Sequence, residues 1–343
     1  MSAAVSPGER SSANQSVVLS VRELSVRFGG VLAVNGVSFD VRRGEVVTLI
    51  GPNGAGKTTV FNLISRLYTP TSGHLMYRGQ ELNRMPAHAV AAAGIARTFQ
   101  NIELFEHASV LQNLLIGRHV HTRTGFWQQM MFLPSVRAEE MATRRKVEEV
   151  IDFLDLQHYR DTRVAGLPYG IRKVVELARA LCTEPKLLLL DEPSSGLNVE
   201  ETADMAFWIQ DIQKDLGITV LMVEHDMSLV SKVSNRVLAM NQGEVLAMGT
   251  AAQVQSNPAV MEAYLGGSLD VSAFKRPTGA PVEAVSRRRA GRRAARRRPG
   301  AAAPWGSARV RGRWRCAGAG RRKTRSGIGW RGRAANRRVR ATP

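Results

Sequence analysis

The chain has 343 residues, a formal net charge of +19 at pH 7 and two cysteines, Cys182 and Cys316. Two cysteines so far apart do not support a disulfide framework or a zinc cluster, so a reducing cytoplasm is the expected compartment. The apolar runs are far shorter than the roughly 20 residues of a membrane-spanning helix, and residues 1–16 lack the apolar core of a secretion signal. We therefore expect a protein that is soluble, or peripheral on a membrane that another subunit crosses.

The charge is distributed unevenly along the chain. Val271–Pro343 contains 23 Lys and Arg against one acid, Glu283, whereas the 270 residues before it carry 25 basic and 28 acidic groups. The segment 267–343 is rich in Arg, Ala, Gly and Pro and lacks aliphatic periodicity, so burial cannot offset its chain entropy. The sequence predicts a globular domain at 17–266, between a disordered N-terminus at 1–16 and this disordered tail.

The first predicted elements are strands. Val17–Val26 and Leu32–Val41 are rich in β-branched residues and are separated by Phe28-Gly29-Gly30, which predicts an antiparallel β subdomain on the N-terminal side. The apolar run Val46–Ile50 predicts a strand of the central sheet, and a helix-like stretch opens at Lys57.

The most specific motif lies between that strand and that helix. The run Gly51-Pro52-Asn53-Gly54-Ala55-Gly56-Lys57-Thr58, followed by Thr59, fits the pattern G-x-x-x-x-G-K-[ST]. In such a loop glycines let backbone N–H groups approach a phosphate chain, the lysine adds a positive charge, and the hydroxyl after it can bind Mg²⁺. The alternative, a chance glycine-rich turn, is disfavoured by the flanking strand and helix. The motif predicts a P-loop NTPase core that binds a nucleoside triphosphate.

The pattern beyond the loop predicts an α/β fold with a mostly parallel sheet and an inserted helical subdomain at about 100–167. Within the insert an irregular stretch around Gly125–Ser135 separates two helical regions. The predicted elements in chain order are helices at Val110–Ile116, Ala138–Leu156, 170–183 and near 200–214, strands at 187–191 and 218–223, and a strand pair at 235–248.

Two carboxylates follow the strand at 187–191. Asp191 would lie at the carboxyl end of a buried parallel strand, where α/β sheets bind ligands, and could hold Mg²⁺ through water. Glu192, one residue on, could polarise the attacking water. The alternative is a solvated strand end before Pro193, and the phosphate loop upstream favours the catalytic interpretation.

Two further polar residues follow predicted elements of the core. His225 comes two residues after the end of the strand at 218–223 and could hydrogen-bond the γ-phosphate or the attacking water, although a lone histidine is more often structural. Gln100 closes the run Ile95-Ala96-Arg97-Thr98-Phe99-Gln100 just before the helical insert. Its side-chain oxygen could bind Mg²⁺, but taken alone this signal is weak.

A family resemblance connects these residues. Leu167-Pro168-Tyr169-Gly170-Ile171, with the helical run that follows it, resembles the signature segment of ABC ATPases over a domain of about 17–266. The resemblance implies ATP as the nucleotide, Phe28 as the ring that stacks on adenine, Gln100 as the Q-loop glutamine and His225 as the switch histidine. It also implies that Gly170 contacts the γ-phosphate of a nucleotide held by a partner chain.

The signature departs from the usual family pattern. Pro168 replaces the usual serine, Tyr169 a glycine and Ile171 a glutamine, so the usual serine hydroxyl is not available to the partner's γ-phosphate. Gly170 keeps the backbone contact. Asn198 replaces the aspartate that usually ends the D-loop-like run Ser195-Gly196-Leu197-Asn198.

Several segments, such as Arg97-Thr98-Phe99-Gln100-Asn101 and the run Asn257–Gly266, look like the ATP-binding subunit of branched-chain amino acid importers. The resemblance implies a peripheral subunit at the cytoplasmic face of the membrane, transmembrane permease partners, a second ATPase subunit and, indirectly, an extracytoplasmic solute-binding protein. A urea or amide importer would use a similar subunit. A soluble ABC ATPase acting on the ribosome or on nucleic acid is the alternative from another class.

The arginine-rich tail allows three interpretations. It could bind nucleic acid, because neutralised phosphates release counterions without any fold. It could lie near anionic lipid, or it could be the out-of-frame product of a GC-rich gene end. The last is favoured, since the resemblance to the family is complete by Gly266, and nucleic acid is therefore an unlikely partner.

Overall fold

The computed structural model describes residues 16–100, 102–121, 130–131 and 134–265. The predictions of disorder for 1–15 and for 267–343 lie outside the described residues, as does most of the irregular stretch around Gly125–Ser135. Among the described residues no helix is both long enough and apolar enough to cross a bilayer.

The strands form two sheets. The strands in chain order are β1 Val17–Phe28, β2 Val31–Arg42, β3 Val46–Ile50, β4 Ser72–Tyr77, β5 Gln80–Glu81, β6 Ile95–Arg97, β7 Leu187–Asp191, β8 Thr219–Val223, β9 Arg236–Asn241 and β10 Glu244–Gly249. The first sheet has the order β2-β1-β4-β5 and is antiparallel, and the second has the order β10-β9-β3-β8-β7-β6. In the second sheet β9 and β10 pair antiparallel and the other neighbours pair parallel. The predicted fold class is confirmed.

The helices connect and cover the second sheet. The α-helices in chain order are α1 Lys57–Ile64, α2 Ala87–Ala92, α3 Val110–Gly117, α4 Pro134–Phe153, α5 Tyr169–Leu181, α6 Val199–Lys214, α7 Met227–Val233, α8 Ala251–Gln255 and α9 Pro258–Leu265. Helix α3 starts where the apolar periodicity predicts, because Ser109 and Gln112 form a reciprocal capping box. Helix α4 begins and ends a few residues before the predicted Ala138–Leu156, within the usual error of predicted boundaries.

The sequence analysis did not predict β4, β5, β6, α2, α7, α8 or α9. β5 and β6 have two and three residues, too few for a periodic pattern to be recognised. β6 exists because its backbone pairs with β7, with Arg97 opposite Leu189.

The sheet order positions the polar residues. Every residue of β3, β7 and β8 is buried, as expected for parallel strands covered on both faces. Because β3, β8, β7 and β6 are neighbours and run parallel, their carboxyl ends meet at one edge. The phosphate loop, His225, Glu192 and Gln100 follow these four strands, so the fold brings distant sequence motifs to one place.

Candidate nucleotide-binding and catalytic site

The phosphate loop joins β3 to α1 in a conformation that requires glycine. Gly51 has φ 152°, and a Cβ there would lie 2.2 Å from the carbonyl oxygen of Met240. Gly56 has φ 93°, and its Cβ would lie 2.6 Å from the carbonyl oxygen of Ala33. The loop is thus packed closely between β9 and β2, which fixes the path of its backbone. Pro52, Asn53, Gly54 and Ala55 lie between these two glycines.

Lys57 lies against the loop that it follows. Its Nζ donates to the carbonyl oxygens of Gly51 at 2.8 Å and Pro52 at 3.0 Å. Burial lowers the pKa of Lys57, and the nearby carboxylates of Glu192 and Asp191 act in the opposite direction. The side chain therefore lies close to both predicted carboxylates. Thr58 is exposed and Thr59 is half-buried at the start of α1.

Of the three residues predicted to be catalytic, Gln100 and His225 both contact Glu192. Gln100 Nε2 donates to Glu192 Oε2 at 2.8 Å, and His225 Nε2 lies 2.8 Å from Glu192 Oε1. Glu192 has φ 48°, a conformation uncommon for a residue with a side chain, and its backbone N–H donates to the carbonyl of Val223 at 3.0 Å. The two oxygens of one carboxylate are thus held by groups from two different strand ends.

Asp191 forms a buried ion pair that the sequence analysis missed. Arg97 Nη2 lies 3.0 Å from Asp191 Oδ2, and the two side chains are 8% and 2% exposed. The other terminal nitrogen of Arg97 donates to Asn62 Oδ1 and Ser65 Oγ of α1. Burial raises the pKa of Asp191, and the Arg97 guanidinium opposes that increase. Arg97 therefore links the helix of the phosphate loop to the carboxylate at the end of β7.

The predicted oxygen ligands fit a magnesium ion by their chemistry. Asp191 Oδ1 is buried and has no hydrogen-bond partner among the described residues, so it can accept from a water of hydration. A carboxylate, the Thr58 hydroxyl and the Gln100 amide oxygen are hard ligands of the kind Mg²⁺ prefers. Within the described residues no group of three or more His, Cys, Asp or Glu side chains could hold a metal alone.

Glu224 is a second residue that the sequence analysis left without a role. Its buried carboxylate accepts from the backbone N–H of Ser194 at 2.8 Å, of His225 at 2.9 Å and of Asp226 at 3.3 Å. Burial raises the pKa of Glu224, and these hydrogen bonds oppose the increase. Glu224 thus ties the loop after Glu192 to the loop that carries His225. No sequence pattern distinguished it from other acids at strand ends.

The signature segment begins α5. Pro168 is the N-cap and provides no side-chain hydrogen bond, so the first N–H groups of the helix have no capping group from this residue. A Cβ on Gly170 would lie 2.2 Å from Glu201 Oε1, so packing within this chain already favours glycine at this position. Asn198 caps α6 in a reciprocal capping box with Glu201. The D-loop residues and the signature therefore pack together.

Phe28 lies at the end of β1 and is exposed. Its ring packs edge to face against Tyr68, with ring centroids 5.0 Å apart. The adjacent strand β2 reaches the phosphate loop, since the carbonyl oxygen of Ala33 lies against Gly56. Tyr68 was not predicted to be part of the site; it follows α1 without a motif of its own.

Comparison with known proteins places these residues in a family. Residues 34–195 match the ABC transporter family, and residues 244–270 match the branched-chain amino acid ATP-binding cassette transporters. The high-affinity branched-chain amino acid transport ATP-binding protein BraF of Pseudomonas aeruginosa is 41% identical over 249 residues, 73% of this chain and 98% of BraF. The similarly named LivG of Escherichia coli K12 is 40% identical over the same shares of the two chains.

Solved structures agree with this placement. The ADP conformation of MJ1267, an ATP-binding cassette of an ABC transporter, has a TM-score of 0.65 and 30% identity, and the match covers 73% of this chain and 99% of that one. A nucleotide-free ATP-binding cassette from an ABC transporter gives 0.64 and 29%, with the same coverage. The sequence, the fold and the residues at the sheet edge lead to one conclusion: the chain belongs to the family of ABC transporter ATP-binding proteins.

Proposed function

We propose that this chain binds ATP with Mg²⁺ at the phosphate loop and hydrolyses it with Glu192 as general base, to energise import of branched-chain amino acids. Its family makes the chain an ATPase of an ABC transporter. The observation that carries the choice of base is that Gln100 and His225 hold the two oxygens of Glu192 at the edge where the phosphate loop lies.

Different residues of the chain bind the nucleotide, accept the proton of the attacking water and bind the metal ion. Backbone N–H groups of the loop and the Lys57 ammonium bind the phosphates, while Phe28 stacks on adenine. Glu192 accepts a proton from the attacking water at a carboxylate oxygen, and Gln100 and His225 keep that carboxylate in position. Asp191, Thr58 and Gln100 hold Mg²⁺, which when bound neutralises charge that develops on the phosphate oxygens.

The site is completed by a second ATPase subunit. The resemblance implies two domains that close head to tail, so that Gly170 and the N-terminus of α5 reach the partner's nucleotide. Free N–H groups at a helix N-terminus bind anions, and the 13-residue length of α5 supports this role. Pro168 offers no hydroxyl, so the contact relies on backbone donors. The partner is a second ATPase subunit, either a second copy of this chain or a homologous one.

The helical segment supports docking on a membrane permease. Large apolar side chains are exposed there, including Phe105, Ile116, Val120 and Met141. Exposed apolar side chains of this kind are suited to bind another protein. The chain would lie at the cytoplasmic face of the membrane, and closure around ATP would pass through this segment to the permease.

The solute is inferred from the relatives. BraF and LivG carry names that assign them to high-affinity branched-chain amino acid transport, and both align along nearly their whole lengths. The match at 244–270 supports the same branch. An extracytoplasmic solute-binding protein would deliver the amino acid to the permease, and a urea or amide importer is the alternative within the branch.

Purification of the tagged full-length chain from native membranes tests this proposal. We expect permease subunits and a second ATPase to copurify, and leucine, isoleucine or valine with the associated receptor to stimulate ATP hydrolysis. Stimulation by urea or acetamide alone would show that one of these compounds, and not a branched-chain amino acid, is the solute. If the chain instead copurified with ribosomes or DNA, and removal of 267–343 abolished this association, the importer proposal would be wrong. The result would favour an ATPase acting on nucleic acid.

A further inference from the structure

We propose that Lys173 and Glu176 of α5 are positioning residues that hold the Q-loop, described at residues 99–100 and 102–103, and thereby set where Gln100 meets Glu192. The inference rests on the proposed role of Glu192 as the base. It adds a connection within one chain between the signature helix and the catalytic carboxylate.

The contacts come from one stripe of α5. Lys173 Nζ donates to the carbonyl oxygen of Gln100 at 3.0 Å, and Glu176 Oε1 accepts from the backbone N–H of Phe99 at 3.0 Å. Arg179 donates to the carbonyl oxygen of Glu103. Residues three apart lie on the same face of a helix, so the three side chains reach the same loop. All three bind main-chain atoms, so they fix the path of the loop whatever side chains it carries.

The burial of these charges indicates that they do more than fill space. Lys173 and Glu176 are 4% and 2% exposed. Burial raises the pKa of Glu176, and the nearby Lys173 and Arg179 oppose that increase. Apolar side chains of similar volume often stabilise a core as well as a buried charge pair does. What apolar side chains could not do is bind the backbone of residues 99 and 100.

The clamp formed by Lys173 and Glu176 also adjoins the metal-binding side of the site. Both residues line a small cavity, with room for about one water molecule, that is also lined by Thr98 and Asp191. Thr98 Oγ1 lies 3.4 Å from the backbone nitrogen of Asp191. The clamp and the end of β7 therefore border the same small cavity, next to the Q-loop.

The clamp would couple two functions of α5, which are contact with the partner's nucleotide and positioning of the Q-loop. Gly170, proposed to touch the partner's nucleotide, lies in the first turn of α5, and Lys173 and Glu176 lie in the next two turns. A helix moves as a stiff body, so a shift of its N-terminus would carry residues 99 and 100 with it. Engagement of the partner's nucleotide would thus change the contact between Gln100 and Glu192 in the same chain.

Four variants of the full-length chain test this inference. Glu176→Leu removes the acceptor for Phe99, Lys173→Met removes the donor to Gln100, and Glu176→Gln retains an oxygen acceptor. Arg118→Met is the matched control, because Arg118 is a cation with a side chain only 10% exposed that binds the carbonyl oxygen of Cys182 and pairs with Glu184, just beyond the end of α5. The measurements are kcat, the Kd for ATP, and hydrogen exchange of peptides covering 98–104.

We expect Glu176→Leu and Lys173→Met to lower kcat by roughly 10–100-fold, the scale of small misplacements of catalytic groups. The Kd for ATP should stay within about twofold, because the phosphate loop is untouched. Exchange at 98–104 should quicken in these two variants and not in Arg118→Met, and Glu176→Gln should recover most of kcat.

Three results would overturn the inference. They are unchanged exchange at 98–104 in folded variants, an equal loss of kcat in Arg118→Met, and failure of both clamp variants to fold where Arg118→Met folds. Quickened exchange with unchanged kcat would confirm the clamp and refute its catalytic role. If Glu192 were not the base, hydrogen exchange at 98–104 would still quicken in the clamp variants. The exchange measurement therefore distinguishes failure of the clamp from failure of the proposed chemistry.

Discussion

Gln100 Nε2 lies 2.8 Å from Glu192 Oε2, although 92 residues separate them in sequence. The contact joins the end of the short strand β6 to the end of β7, and His225 approaches the other oxygen of the same carboxylate. A general base must be held within hydrogen-bond reach of its water, and two neighbouring donors provide such a constraint.

Loss of either neighbour should impair catalysis more than binding. Gln100→Ala and His225→Ala are each expected to lower kcat by roughly 10–100-fold. Because both residues act through Glu192, the double variant should lose less than the product of the single effects. Steady-state kinetics measure this, with the exposed His88→Ala as control. Independent, multiplicative losses would show that the two residues do not act on one group.

Arg97→Met should destabilise the fold strongly. The change leaves the carboxylate of Asp191 buried without its cation, and breaking a buried pair in this way costs about 3–5 kcal/mol. Arg22→Met is the control, because Arg22 pairs with Asp40 while 52% exposed, and an exposed pair contributes about 0–1 kcal/mol. Urea unfolding compares the two variants. Similar small losses in both would contradict the role given to the Arg97 pair.

Two glycines of the phosphate loop should differ in their tolerance of alanine. Both have positive φ, so each substitution is strained. A Cβ on Gly51 would meet the carbonyl oxygen of Met240, whereas a Cβ on Gly54 has no atom within 4 Å among the described residues. We expect Gly51→Ala to lower the free energy of unfolding by at least about 2 kcal/mol more than Gly54→Ala. Equal losses would mean that the loop relaxes away from β9.

The stability contributed by Glu224 should depend on pH. Burial raises the pKa of Glu224 in the folded state above its ordinary value of 4.5, so the folded chain binds this proton more tightly than the unfolded chain does. The free energy of unfolding therefore falls as pH rises above 4.5, until the raised pKa is passed. Glu224→Gln removes this titration.

Urea unfolding measured from pH 4.5 upward checks the predicted direction of this pH dependence. The stability of the natural chain minus that of Glu224→Gln should decrease as pH rises through this window. The exposed Glu262→Gln controls for removal of one acidic group. A difference that grows with pH would show that the hydrogen bonds from Ser194, His225 and Asp226 outweigh burial.

The motifs at strand ends were predictable because each follows a buried apolar strand. The phosphate loop and Asp191-Glu192 stand directly after such runs and His225 stands one residue further on, and parallel pairing then places them together. Gln100 was predicted only weakly, since β6 has three residues and owes its existence to pairing with β7. Its contact with Glu192 follows from the order of strands in the sheet, which local pattern does not specify.

The roles of Arg97 and Glu224 could not be predicted from the sequence. Both lie inside segments that were already noted for other residues, and their roles depend on partners whose positions only the fold defines. Arg97 is surrounded by Asn62, Ser65 and Asp191 from two other elements. The domain boundaries and the nature of the tail remain predictions, because 266–343 lie outside the described residues.

The most direct test of the account is the replacement Glu192→Gln in the full-length chain, measured by single-turnover ATP hydrolysis together with the Kd for ATP. We predict that hydrolysis falls by at least about 100-fold while ATP still binds, so that the variant is trapped as a closed, ATP-bound dimer. Glu200→Gln, an exposed acid in the first turn of α6, should behave like the natural chain. Turnover of Glu192→Gln equal to that of the natural chain, in the assembled importer, would show that Glu192 is not the base.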